Sequence, residues 1–148
     1  MKRILALDLG SRVGFAVDGE SGFMDMGSKG DTPGKRFVRF FSWLNSKVYA
    51  GYGHPQDGDR LIDKIVYEKP HHRGGASTLV LVGMEAMLLA YAEGQGIETA
   101  SVHSGTLKKF TTGDGRADKA AMAKALNRKG KDDNETDAIA LYNYAMSA

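Results

Sequence analysis

The sequence predicts an α/β fold built on a five-stranded mixed sheet, three antiparallel strands followed by two parallel ones, with helices on both faces. Three observations predict it. The opening RILALDLGS alternates Ile4, Ala6 and Asp8 on one face with Leu5, Leu7 and Leu9 on the other, the period-two pattern of a strand covered on both sides. The patterns then run three strands, helix, strand, helix, strand, helices. The fourth and fifth strands are joined through a helix, which makes a right-handed parallel crossover.

Each element has its own signal. VGFAVDG and GFMDMGS follow the first strand with glycines between them, which completes an antiparallel meander. GKRFVRFFSWLNSKV places Phe37, Phe40, Phe41, Leu44 and Val48 on one helical stripe that packs onto the sheet. Residues 50–60, rich in glycine with Pro55 and Asp57, read as a surface loop, and DKIVYEKP as a fourth strand ending in Glu68 and stopped by Pro70. Residues 76–93 have helical length and two apolar stripes, Leu79, Val82, Ala86 and Leu89 on one, Val80, Met84, Met87 and Tyr91 on the other. One stripe covers the sheet; the other needs a further partner, and a second copy of the chain in a homodimer is the expectation. IETASVH is the fifth strand after the break at Gly94 and Gly96. ADKAAMAKALNRKG reads as a helix with Asp118 near its start and Gly130 past its end, and NETDAIALYNYAMSA as the last helix.

A chain of 148 residues has room for one core, so a single domain over residues 1–148 is expected. With 42% hydrophobic and 26% charged residues the composition is that of a folded globular protein rather than a disordered one. The longest apolar run, LVLVGMEAMLLAYA, is interrupted by Glu85 and falls short of the roughly 20 residues that cross a bilayer. The chain opens directly on a strand pattern without a signal-type segment, so an intracellular, cytoplasmic location with no membrane association is expected. With no cysteine, any metal must be held by carboxylate, amide or imidazole groups, which favours hard cations. The net charge of +2 hides an asymmetry: residues 108–131 carry eight basic residues against Asp114 and Asp118, a balance of +6, leaving −4 (12 basic, 16 acidic) for the rest. A basic block ahead of an acidic cluster suits a protein that attracts a polyanion and acts on it with metal ions; a solvated helix face would show the same charges.

Asp8 and Glu68 lie on strands expected to be central, on otherwise apolar faces. Buried carboxylates without partners cost several kcal/mol, and two near each other repel. Something positive must bridge them; Lys64 and Lys69 are the nearest basic residues in sequence, but lysine pairs more readily at the surface. If the last helix packs against the same strands, Asp137 arrives from its first turn and completes a three-carboxylate pocket suited to Mg²⁺ or Mn²⁺. Asn134 to Asp137 also has the spacing of a capping box, which would account for Asp137 without metal but leaves the strand carboxylates unexplained.

ILALDLGSRVGFAV, IVYEKP, LKKFTTGDGRADKAAM and DDNETDAIAL, in this order, resemble the RuvC family of crossover (Holliday) junction endodeoxyribonucleases, particularly its bacteriophage-type members. The Asp-x-Gly strand turn is shared by many ATPases and nucleases, whereas TGDGRADKAAM followed by an acidic helix start is distinctive. The resemblance implies an RNase H-like fold and a structure-selective endonuclease that resolves Holliday junctions or other branched DNA as a homodimer. It also implies two Mg²⁺ per active site, with Mn²⁺ able to substitute, one activating water and the other neutralising the leaving oxygen. By motif, the metal ligands and catalytic residues implied are Asp8, Glu68 and Asp137, with Asn134 in a position that is acidic or histidine in the family and Asp133 as its possible substitute. Lys109 and Lys119 fall on positions that contact DNA near the cut, and Lys119 also on a catalytic one; Lys108, Arg116, Lys124 and Arg128 would add backbone contacts. The family's aromatic wedge after the strand-four Glu is missing from EKPHHRGG, where His71, His72 or Arg73 would have to stack on a base or grip a phosphate.

Three other readings compete. A YqgF-type nuclease acting on RNA precursors shares the LDLGSRVGFAV opening, although IVYEKP and TGDGRADK argue against it. A non-catalytic branched-DNA-binding module is favoured by Asn134 in place of an acid. An actin-like ATPase needs two domains, which 148 residues do not supply.

Overall fold

The computed structural model describes residues 2–50, 60–71 and 74–147. In chain order these form β1 (Ile4–Asp8), β2 (Arg12–Val17), β3 (Glu20–Asp25), α1 (Pro33–Val48), β4 (Lys64–Glu68) and α2 (Ala76–Gln95), then β5 (Glu98–Val102), α3 (Ser104–Thr112), α4 (Lys119–Ala125) and α5 (Asp133–Ser147). The strands make one sheet in the order β3-β2-β1-β4-β5. β1, β2 and β3 pair antiparallel, while β4 runs parallel to β1 and β5 parallel to β4. The mixed sheet expected from the sequence is the one observed. Most of the expected loop at residues 50–60 lies outside the described residues, as do His72 and Arg73.

β1 is the central strand, and its alternation sorts the core into two layers. Leu5, Leu7 and Leu9 pack with Phe40, Leu44 and Val48 of α1 and Met84, Leu88 and Tyr91 of α2. Ile4 and Ala6 face the opposite layer, with Ala16, Val66 and the α5 residues Ala138, Ala140 and Leu141. The small side chains Ala6, Ala16, Ala138 and Ala140 are all buried, so α5 can lie close against the sheet. That close approach is what lets an α5 side chain meet groups on the strands.

The helices depart from the sequence reading in specific ways. On α1 the buried side is Phe40, Trp43, Leu44 and Val48, whereas Phe41 is 41% exposed and meets Tyr91 edge-on. The period alone put Phe41 in the stripe and left Trp43 out; Trp43 is drawn in by Phe15 of β2, 5.4 Å between ring centres. On α2 the Val80, Met84, Met87 and Tyr91 stripe turns to the core, and Leu79 and Leu89 of the other stripe are exposed.

α3 was not foreseen. Its buried side is a single residue, Leu107, and its cap residue His103 makes no side-chain capping bond, so neither periodicity nor capping signalled it. The left-handed Gly113 that ends it was the available clue. α4 is shorter than expected: Asp118 caps it by accepting from the Ala121 N–H, but the chain leaves the helix after Ala125 and Asn127 adopts φ 55°.

Candidate metal centre

Three elements converge at one end of the sheet. Asp8 ends β1 and Glu68 ends β4. The parallel register that pairs Leu7 with Tyr67 sets these two carboxylates side by side one step further on. Both follow residues of the α5 layer, Ala6 and Val66, and by strand alternation share their face. Antiparallel pairing places Gly14 of β2 opposite Asp8, and the first turn of α5 lies over that glycine. A β-carbon at position 14 would stand 1.9 Å from the Asn134 carbonyl oxygen. Only a residue with no side chain admits the helix here.

The start of α5 is also held by polar groups. Asp132 caps it, accepting from the Glu135 N–H at 2.9 Å, and the Arg12 guanidinium of β2 donates to the other Asp132 oxygen at 2.8 Å. Burial raises the Asp132 pKa, but these donors outweigh it and hold the carboxyl below its ordinary value. Glu135 accepts from the Ser21 hydroxyl of β3 at 2.7 Å and pairs with Arg128 at 2.9 Å. The cap is therefore Asp132, whose carboxylate accepts from the Glu135 N–H, and not Asn134. Asp137 is left without a capping role.

Asp8, Glu68 and Asp137 offer ligating oxygens that all lie within 4.8 Å of one another, and all three residues are half-buried. Their protonation behaviour follows from that crowding. Burial, then the Glu68 and Asp137 carboxylates, push the Asp8 carboxyl well above its ordinary value, against the pull of Lys119. Burial is the largest influence raising the Glu68 pKa, opposed by a hydrogen bond from Ser104 and the charges of His71 and Lys108. Asp137 is raised to about 6 by burial, then by Glu68 and Asp133, against Lys119 and Lys108. Three neighbouring carboxylates whose pKa values stay raised despite Lys108, Lys119 and His71 fit a hard divalent cation. Lys64 does not neutralise them; it pairs with Glu98 at 3.5 Å. A cleft of about 270 Å³ opens onto Asp8 and Glu68 between Leu9, Pro70, His71, Thr78 and Leu81. A larger cavity of about 470 Å³ lies against Lys2, Lys47 and Tyr142; it lacks the carboxylate trio.

The remaining sequence candidates fall into three groups. Asn134 is half-buried in the α5 first turn, and Asp133 beside it is exposed and paired with Lys119 at 3.3 Å. Lys108 and Lys119 act on the carboxylates electrostatically, whereas Lys109 is exposed on α3. Lys108, read as a peripheral DNA contact, is thus the α3 lysine at the centre. Arg116 is exposed with its N–H bonded to Asp114. Arg128 is committed to Glu135 and Thr136 inside the protein, which removes it as a backbone contact. Sequence reasoning missed Ser104, a hydroxyl at a strand-to-helix junction with no motif around it, and missed Gly14 and Arg12, whose roles depend on where α5 lands.

No family model and no curated protein matches this chain. Among solved structures it is similar to RuvC of Thermus thermophilus, with a TM-score of 0.68 at 15% identity over 98% of this chain and 96% of that one. It is also similar to T. thermophilus RuvC in complex with a Holliday junction substrate, TM-score 0.71 at 16% identity, over 99% and 96% of the two chains. The fold is therefore RNase H-like. Within that class it is the fold of RuvC, as the sequence motifs led one to expect.

Proposed function

We propose that this chain is a metal-dependent endonuclease that cuts branched DNA, four-way junctions above all. The observation that carries this reading is the convergence of Asp8, Glu68 and Asp137 from β1, β4 and α5 on one point. The similar fold solved with a Holliday junction supports the choice of substrate. Mg²⁺ fits the donor set, Mn²⁺ should replace it, and two ions per site is the reading the motif favours. Such ions supply an activated water and charge neutralisation at the leaving oxygen of a phosphodiester. The protein's own part is to hold the oxygens. Asp8 and Glu68 are fixed by the strand register, Asp137 by the Gly14 contact, and Asn134 and Asp133 are the ligands available for a second ion. Lys108 and Lys119 hold positive charge beside the trio, where a scissile phosphate would sit. Exposed Lys109 and Arg116, and His71 at the cleft, are the further DNA contacts of this reading; His72 and Arg73, outside the described residues, belong to it by sequence alone.

A four-way junction presents two strands for symmetric cutting, and a two-fold dimer supplies two centres. The α2 stripe suits such an interface, with Leu79 60% and Leu89 42% exposed. Equilibrium sedimentation of the parent and of Leu79→Glu/Leu89→Glu reads this directly; a monomeric parent excludes the dimer.

The experiment for the function is incubation with synthetic four-way, three-way, flap and linear duplex DNA, and with structured RNA, in Mg²⁺ and in Mn²⁺. Metal-dependent cuts near the branch point of DNA are expected. Preferential cutting of RNA would favour the RNA-processing reading, and binding without cuts in either metal a non-catalytic module.

A further inference from the structure

Lys119 stands on α4, and the packing that holds α4 in place is thin. Among the described residues of this helix only Met122 is buried; Leu126, just beyond the helix, is partly packed on the same core. Seven residues are too few for a helix to persist on its own. The ion pair of Lys119 with Asp133, 3.3 Å between side chains 77% and 49% exposed, contributes little to fixing either. A further tie must hold α4 beside the carboxylate centre, where Lys119 acts on Asp8 and Asp137.

Arg128 supplies one. Its backbone belongs to the end of α4: the N–H donates to the Ala123 carbonyl at 2.7 Å, and the carbonyl accepts from the Lys131 N–H at 3.0 Å. Its guanidinium belongs to α5, donating through Nε to the Thr136 hydroxyl at 3.1 Å and pairing with Glu135 at 2.9 Å. The Thr136 hydroxyl donates onward to the Asp132 carbonyl at 2.8 Å, and the second Glu135 oxygen accepts from Ser21 of β3 at 2.7 Å. The Arg128 and Glu135 side chains are each 19% exposed, so the pair is shielded from solvent and its geometry is fixed by the neighbouring bonds. α5 is held separately, by the Gly14 contact, by the Arg12 bond to Asp132 and by the burial of Ala138, Ala140 and Leu141. It is the fixed post, and α4 the element tied to it. We propose that the Arg128–Glu135 pair is a positioning clamp that holds α4 against α5 and acts on strand cleavage through Lys119, not through the metal ligands. The inference rests on the nuclease reading and adds which residues keep Lys119 in place.

The test is single-turnover cleavage of a four-way junction in Mg²⁺ and in Mn²⁺ at saturating protein, with Mn²⁺ affinity measured on the same proteins. Removing one partner would strand a shielded charge, so the main variant is Arg128→Met/Glu135→Met, an apolar replacement of the kind folded proteins tolerate. It should cleave about 10-fold or more slowly, with Mn²⁺ affinity within about twofold of the parent's rather than the larger loss that displaced ligands cause. In a Lys119→Met background the same replacement should cost no further rate, because groups acting through one another are not additive. Amide exchange within residues 119–128 should quicken in the double variant, and that of α5 should not. Arg128→Lys keeps the charge but not the two-acceptor geometry; it should show the same pattern with a smaller loss, and it decides the question if the double variant does not fold. Cleavage as fast as the parent's, a loss that multiplies that of Lys119→Met, or a parallel loss of Mn²⁺ affinity overturns the clamp while the nuclease reading stands. A parent that cuts neither branched nor linear DNA in either metal overturns both.

Discussion

The backbone of Asn134 rests directly on Gly14, so closely that a β-carbon at position 14 would come within 1.9 Å of the Asn134 carbonyl oxygen. This contact sets the height of α5 above β1 and with it the distance from Asp137 to Asp8. Gly14→Ala must push the first turn of α5 outward. Overpacking of this kind costs about 1 to 3 kcal/mol, so a melting temperature lower by several degrees is expected. The carboxylate trio should separate too, with Mn²⁺ affinity down by about tenfold or more. An unchanged melting curve and unchanged Mn²⁺ binding would show that the contact does not position the centre.

Burial, then the two other acids beside it, push the Asp8 carboxyl well above its ordinary value, toward its neutral form. Asp8→Asn removes a charge the folded protein disfavours. In EDTA the variant should be more stable than the parent, by about 1 to 3 kcal/mol, as read by urea unfolding. The same variant should bind four-way junctions and fail to cut them. Retained cutting, or a fall in stability, would contradict the role assigned to this residue.

The pH dependence follows from Asp137, whose pKa is raised to about 6 in the fold from an ordinary value of 3.8. Between those values the folded protein binds more protons than the unfolded chain, so the contribution of Asp137 to stability falls as pH rises. The penalty is absent below about 4 and fully present above about 6. Added Mn²⁺ should act oppositely, raising the melting temperature little at pH 5 and substantially at pH 7.5, because it needs the ionised carboxylate. Thermal melts across this range, with EDTA and with Mn²⁺, test both directions. A metal-induced shift independent of pH would exclude Asp137 as a ligand.

Lys108 and Lys109 are adjacent, but α3 turns the first toward Glu68 and leaves the second exposed. Lys108→Met should lower single-turnover cleavage of a four-way junction by about 10- to 100-fold. Lys109→Met should act mainly on binding, with a modest loss that shrinks as salt rises. Equal effects of the two variants on the cleavage step would remove the distinction.

The strands were legible because their signals are local. The alternation in RILALDLGS fixed both faces of β1, and the two glycine-bounded runs after it fixed the meander. Asp8 and Glu68 stood out as carboxylates on apolar faces, and Asp137 as the acid on the helix packing against them. What the sequence could not disclose depends on contacts between distant segments. Asn134 and Asp137 have capping-box spacing, but Arg12 at the other end of the chain helps make Asp132 the cap. Lys108 and Lys109 are indistinguishable until the helical phase of α3 is known, and α3 buries too little to announce itself.

The central claim is that Asp8, Glu68 and Asp137 hold divalent cations jointly. Titration of Mn²⁺ into the metal-free protein at pH 7.5, followed by electron paramagnetic resonance, measures this most directly with the parent and Glu68→Gln side by side. The account predicts saturable binding by the parent and a loss of about tenfold or more in affinity for the variant. Failure of the parent to bind Mn²⁺, or equal binding by the two proteins, would contradict it.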